Sequence, residues 1–173
     1  MRFFCLILTV LLPSFLYSRG GSPVNKNIDV LHYVFALKLN DTTNIVEGRA
    51  VITARKLAAV DSVTFRLTGK ESNGEGMIVT NVRISGNVVV WNHAGDNLTI
   101  FTGNTAKGDT LNFEVIYNGI PADGLIISEN KFGNRVFFSD HWPDRAHNYL
   151  PCIDHPSDKA SLEFLITAPV KYR

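Results

Sequence analysis

Between Asn148 and Ala160 the sequence NYLPCIDHPSDKA sets a cysteine, a histidine, two aspartates and a lysine around two prolines. Side chains of these types support three kinds of chemistry. A Cys with a nearby His can act as nucleophile and base where its thiolate is stabilised, and Cys152 with His155 or His147 is the available pair. His and Asp together can hold a metal ion, and His141, His147 and His155 stand in one run with Asp140, Asp144 and Asp154. Alternatively, a proline-fixed corner can use its charged groups only to tie a loop to a strand. Spacing favours the third. The five histidines, His32, His93, His141, His147 and His155, include no H-E-x-x-H pair that would set two ligands and a base on one helical face. A lone Cys152 after Leu150 and Pro151 has the setting of a small core residue. The expectation is a structural corner with no metal ligands and no catalytic residue of its own.

The elements that must hold this corner are read from the rest of the chain. Its 173 residues carry 17 basic and 16 acidic side chains, a net charge of +1, and are 45% apolar. That is enough for one domain with a core of its own. No basic stripe or acidic block appears, so nucleic acid is not an expected partner. No Gly-rich phosphate loop follows a strand. Asn40 and Asn97 head N-x-T tripeptides, and Trp91 and Trp142 could stack on a sugar or a peptide.

The first residues of the chain have a character of their own. One positive charge at Arg2, an apolar run from Phe3 to Leu12 and an ending in small and polar residues, with the small Ser18 as the cleavage position, have the order of a secretory signal peptide over residues 1–18. A retained N-terminal anchor is the alternative. Export to the periplasm or the cell exterior follows from the first reading. Residues 19–27 read as a flexible entry, and cleavage would remove Cys5 and leave Cys152 with no partner for an internal disulfide.

From Ile28 the dominant period is two. Leu31, Tyr33, Phe35, Leu37 and Leu39 alternate with residues that include His32, Lys38 and Asn40. The same alternation gives Val63, Phe65 and Leu67, then Leu111, Phe113, Val115 and Tyr117, and finally Leu162, Phe164 and Ile166 as inward-facing sets. NVVVW (87–91) reads as one strand. Turn-forming pieces such as NDTTN, SNGEG and NHAGDN lie between the strands, and no helical stripe of useful length appears. The predicted fold is all-β, one antiparallel, sandwich-like domain over residues 28–173.

The segment FFSDHWPDRAHNYLPCIDHPSDKASLEFLITAPVKY resembles the M1 family of zinc aminopeptidases, the aminopeptidase N-like enzymes. Trp142, Pro143, Pro151, Cys152, Asp154, Pro156, Lys159, Ala160 and Pro169 occupy places of a motif in their N-terminal domain. Tyr117, Gly119 and Gly124 match a Y-x-G-x-x-x-x-G turn of the same domain. The resemblance implies a saddle-shaped β-domain packed against a catalytic domain, with Pro151, Cys152, Asp154, Pro156 and Lys159 as a structural motif. It implies that Asp154 and Lys159 tie the loop to a strand by a charge-assisted hydrogen bond. It also implies that zinc, the G-x-M-E-N segment and the H-E-x-x-H motif belong to the catalytic domain of a longer enzyme, of which this chain is the N-terminal part. On that reading the chain alone holds no cofactor and cleaves nothing, and peptide substrate meets it only in the full-length enzyme. Where many members place a Gln or Glu that holds the substrate's amino terminus, this sequence has Asp140 and Trp142. Both are candidate substrate contacts, although Trp142 offers neither carboxylate nor amide. A stand-alone exported β-sandwich that binds or adapts a partner is the competing reading.

Overall fold

The structure is a computed structural model that describes residues 24–172. The signal peptide expected at residues 1–18, and most of the entry segment 19–27, lie outside the described residues. The strands are β1 (Ile28–Lys38), β2 (Val46–Lys56), β3 (Ser62–Arg66), β4 (Gly76–Ile84), β5 (Asn87–Val88), β6 (Trp91–Ala94), β7 (Asn97–Phe101), β8 (Thr110–Ile120), β9 (Leu125–Glu129), β10 (Arg135–Ser139) and β11 (Ser161–Thr167). They form a six-stranded sheet of order β11-β1-β2-β8-β4-β5, a three-stranded sheet β3-β7-β6, and the β9-β10 hairpin. All pairs are antiparallel except β11, which runs parallel to β1. The fold is all-β, as the alternation predicts.

The core lies between the two larger sheets. Ala50 and Ile52 on β2 and Phe113, Val115 and Tyr117 on β8 contribute from one side, and Val63, Phe65, Leu98 and Ile100 from the other, all fully buried. Phe65 and Phe113 meet edge to face with centroids 5.3 Å apart, the geometry that the ring quadrupoles favour. Tyr117 stands opposite Gly48 in the β2–β8 ladder, and its ring fills the space that a side chain at Gly48 would take.

Three expectations are corrected. The inward row of β1 does not start at Leu31: a bulge between Val30 and His32 shifts the register. Ile28 and Val30 therefore face the core together with Tyr33, Phe35 and Leu37, while Leu31 is exposed. NVVVW is not one strand. The N–H of Val89 donates to Val82 in the first sheet, and the carbonyl of Val90 accepts from Phe101 in the second. The chain changes sheets between these two valines. Leu162, Phe164 and Ile166 are not buried but 54%, 40% and 52% exposed. They extend the inward row of Tyr33, Phe35 and Leu37 by register, but β11 is the sheet edge and nothing among the described residues covers it.

The packing of Tyr117 onto Gly48 makes a prediction. Gly48→Ala drives a methyl group into a ring held on all sides and should cost about 2–3 kcal/mol in urea unfolding. The Tyr117 hydroxyl is buried with no hydrogen-bond partner, so Tyr117→Phe should leave stability unchanged or raise it. A loss of more than about 1 kcal/mol in Tyr117→Phe would show that the hydroxyl is bonded after all.

Candidate functional site

The corner is stitched to the second sheet at Arg66, the last residue of β3. Arg66 and Cys152 form an antiparallel bridge, with Arg66 N–H donating to Cys152 O at 2.8 Å and Cys152 N–H to Arg66 O at 3.0 Å. Two residues on, Thr68 N–H donates to His147 O at 2.8 Å. Tyr149, Leu150, Pro151 and Cys152 are buried as a result. On the side of the first sheet, Ile153 N–H donates to the Tyr33 hydroxyl at 3.1 Å, and Val30 N–H at the β1 bulge donates to Asp158 Oδ1 at 3.3 Å. The corner thus joins both sheets before the chain enters β11.

The side chains form a relay. Arg66 Nη2 lies 2.8 Å from His147 Nε2, and His147 Nδ1 lies 2.7 Å from Asp154 Oδ2. A guanidinium can only donate, so Nε2 accepts and the proton sits on Nδ1, which donates to the carboxylate. The backbone N–H of His147 donates to the same oxygen at 3.2 Å. Burial pushes the Asp154 carboxyl up, but the two His147 hydrogen bonds and the nearby Arg66 charge outweigh it and hold the group below its ordinary 3.8. Lys159 is not the partner of Asp154: it is exposed, and the buried His147 takes the place expected for it. Pro156 is exposed at the turn beyond.

Cys152 is a packing residue. Burial pushes its thiol well above the usual range, Asp154 and Asp158 add to the effect, and Arg66 opposes it. Neither histidine reaches it, because His155 Nδ1 engages Ser157 Oγ at 2.7 Å and His147 is committed to Asp154 and Arg66. The third histidine of the run, His141, meets the Tyr149 hydroxyl at 2.7 Å. Among the described residues no group of three or more His, Cys, Asp or Glu side chains could hold a metal ion.

The two candidate substrate contacts sit just before this corner. Asp140 N–H donates to Gly124 O at 2.9 Å, which ties the loop to the end of the Y-x-G-x-x-x-x-G turn. Gly124 has φ +77° and lies under the Arg145 carbonyl, where a Cβ would collide. The Arg145 guanidinium bridges Asp123 at 3.5 Å and Asp140 at 3.3 Å. Asp140 also accepts the Trp142 N–H at 3.1 Å. Its carboxylate is therefore half-exposed but already engaged, whereas the Trp142 side chain is 80% exposed beside a cis bond to Pro143. The sequence reading missed Arg66 as the anchor. It lies 81 positions from His147, and nothing in the local pattern TFRL sets it apart from an ordinary outward-facing strand residue.

With this geometry in place, comparison with known proteins gives the class. The family model described as the Peptidase M1 N-terminal domain matches residues 29–173. The chain belongs to that family. Solved structures agree in fold: the M1 zinc metallopeptidase of Deinococcus radiodurans superposes with a TM-score of 0.69 at 23% identity, over 87% of this chain and 34% of that one. The native leukotriene A4 hydrolase of Saccharomyces cerevisiae gives 0.68 at 20% identity, over 83% of this chain and 24% of that one. The chain thus spans about a third of the first protein and about a quarter of the second. No curated protein matches it in sequence.

Asp154 carries a pH signature. Its carboxyl is lowered by folding, so it adds stability above its unfolded value near 3.8 that is lost as pH falls through the lower folded value. Asp154→Asn should therefore lose about 1.5–3 kcal/mol near neutral pH. The gap to the unsubstituted chain should narrow below about pH 4 in thermal unfolding. A gap that stays constant well below that pH, down to about pH 2, would place the stabilising partner elsewhere.

Proposed function

We propose that this chain serves as the N-terminal β-domain of an exported M1-type zinc metalloaminopeptidase, an enzyme that removes N-terminal residues from peptides. In this reading the domain shapes the entrance to the active site, and the parent's catalytic domain supplies zinc and the bond-breaking chemistry. The described residues do not fit a zinc ion of their own, because His141, His147 and His155 are each turned to a different partner in the corner. The observation that carries the reading is β11. Leu162, Phe164, Leu165 and Ile166 are all 40% or more exposed on one edge strand, and an apolar edge of this kind calls for further protein to cover it. In this reading Asp140 and Trp142 are the residues that would meet the substrate's amino terminus. With its carboxylate shared by Arg145, Asp140 contributes a weakened negative field, and the bare Trp142 ring offers a face for stacking or for a cation.

The decisive test is to read the coding sequence past the Arg173 codon. The expected result is an open frame that reaches G-x-M-E-N and H-E-x-x-H. The purified chain alone should release no amino acid from a peptide, with or without added zinc, and chelator-sensitive release would overturn this. A stand-alone binding module is the second reading, and the closed core between the two sheets favours it. It predicts a monodisperse product in sedimentation. The enzyme-domain reading predicts concentration-dependent association that Phe164→Lys with Ile166→Lys abolishes.

A further inference from the structure

A groove of about 470 Å³ runs between β4 and β6, lined among others by Trp91, His93, Lys70, Glu71, Val79 and Asp96. It shares no residue with the corner, and nothing in the proposed function uses it. Trp91 and His93 alternate along β6 and are both half-buried, so they face the same way into the groove. His93 Nε2 lies 2.9 Å from Leu67 O. A carbonyl only accepts, so Nε2 carries a proton and donates to it, and Nδ1 has no protein partner among the described residues. The indole N–H of Trp91, the Lys70 ammonium and the Glu71 carboxylate have no protein partner among the described residues.

The chemistry of the lining narrows the ligand. Lys70 and Glu71 oppose each other in charge, and Asp96 is paired with Arg66 at 3.2 Å. With the charges balanced, neither a polyanion nor a cation is selected. On the loop side of the groove the backbone groups are used: Met77 N–H donates to Thr68 O, Gly69 N–H to Gly95 O, and Glu71 N–H to Glu75 O. An added peptide strand, which binds through main-chain hydrogen bonds, has only the four-residue outer edge of β6 to pair with, so a peptide is the competing occupant that the test must separate. What remains is an aromatic face ringed by side-chain donors and acceptors. That set recognises a neutral ligand with many hydroxyl groups and one flat C–H face. We propose that this groove is a carbohydrate-binding site, with Trp91 stacking on a pyranose ring and Lys70, Glu71 and His93 bonding its hydroxyls. β-1,4-linked glycans, whose rings lie flat along the chain, are the class it suits.

The test uses the full chain with Trp142→Phe, which leaves Trp91 as its single tryptophan. Cellotetraose and chitotetraose are titrated against the emission of Trp91. At least one should give a saturable change with a dissociation constant of about 0.1–10 mM. Glu71→Gln and Lys70→Ala, both in an exposed loop, should each weaken it about tenfold. By calorimetry, Trp91→Leu should abolish binding while keeping an apolar side chain against the core. Should Trp91→Leu fail to fold, the two loop substitutions decide. The proposal is overturned if neither sugar saturates by about 20 mM, or if binding is indifferent to both loop substitutions. It is also overturned if an unstructured tetrapeptide changes the Trp91 emission at lower concentration than either sugar, which would make the groove a peptide site.

Discussion

The bridge between Arg66 and Cys152 is the constraint on which the functional end of this domain depends. Its two hydrogen bonds attach a loop rich in polar groups to the end of a core strand, and they bury Cys152 in doing so. Once the backbone is fixed there, the Arg66 guanidinium stands within reach of His147, and His147 within reach of Asp154. Each member of that relay satisfies a group that would otherwise be buried without a partner, which is costlier than exposing it. Titratable side chains that suggest catalysis in the sequence are thereby used up as structural hydrogen-bond partners.

The other end of the corner explains why β11 lies where it does. Tyr33 and the β1 bulge hold Ile153 and Asp158 by one hydrogen bond each, and the chain then has only the open edge of β1 to follow. It follows that edge in parallel, since it arrives from the second sheet rather than by a hairpin from β1 itself. Phe164 stays in ring contact with Phe35, at 5.7 Å between centroids. Its inner side is therefore packed while its outer side is bare.

Much of this architecture is legible in the sequence because an antiparallel strand with one wet face writes its burial as alternation. β3 and β8 read correctly for that reason. Alternation fails where a register shift moves the phase, as at Leu31, and where a strand is an edge, as at Phe164. It fails also at Lys56, which ends β2 as if at the surface yet is 1% exposed. The Lys56 ammonium donates to the carbonyls of Val60 and Thr105 and to the Thr105 hydroxyl, so a cage of neutral oxygens replaces water. Its partners come from separate loops, and no local pattern announces them. The corner motif is legible as a unit, but its chemistry is not. Asp154 can be seen to need a partner, whereas choosing His147 over Lys159 requires the position of Arg66.

The exposed features of the molecule also differ in kind, and that separates their roles. β11 presents aliphatic and aromatic carbon along one strand edge with no free polar side chain among Leu162, Phe164, Leu165 and Ile166. A surface like this gains by excluding water over a broad contact, which only another folded body provides. The groove at Trp91 is the reverse case, a concave site whose unbonded indole N–H, ammonium and carboxylate retain their water until a ligand with matching hydroxyls replaces it. A protein surface broad and apolar enough to cover β11 would strand those polar groups, and a sugar would leave β11 wet. β11 and β4 lie towards opposite ends of the sheet order, and in the roles proposed for them the two sites answer to different partners.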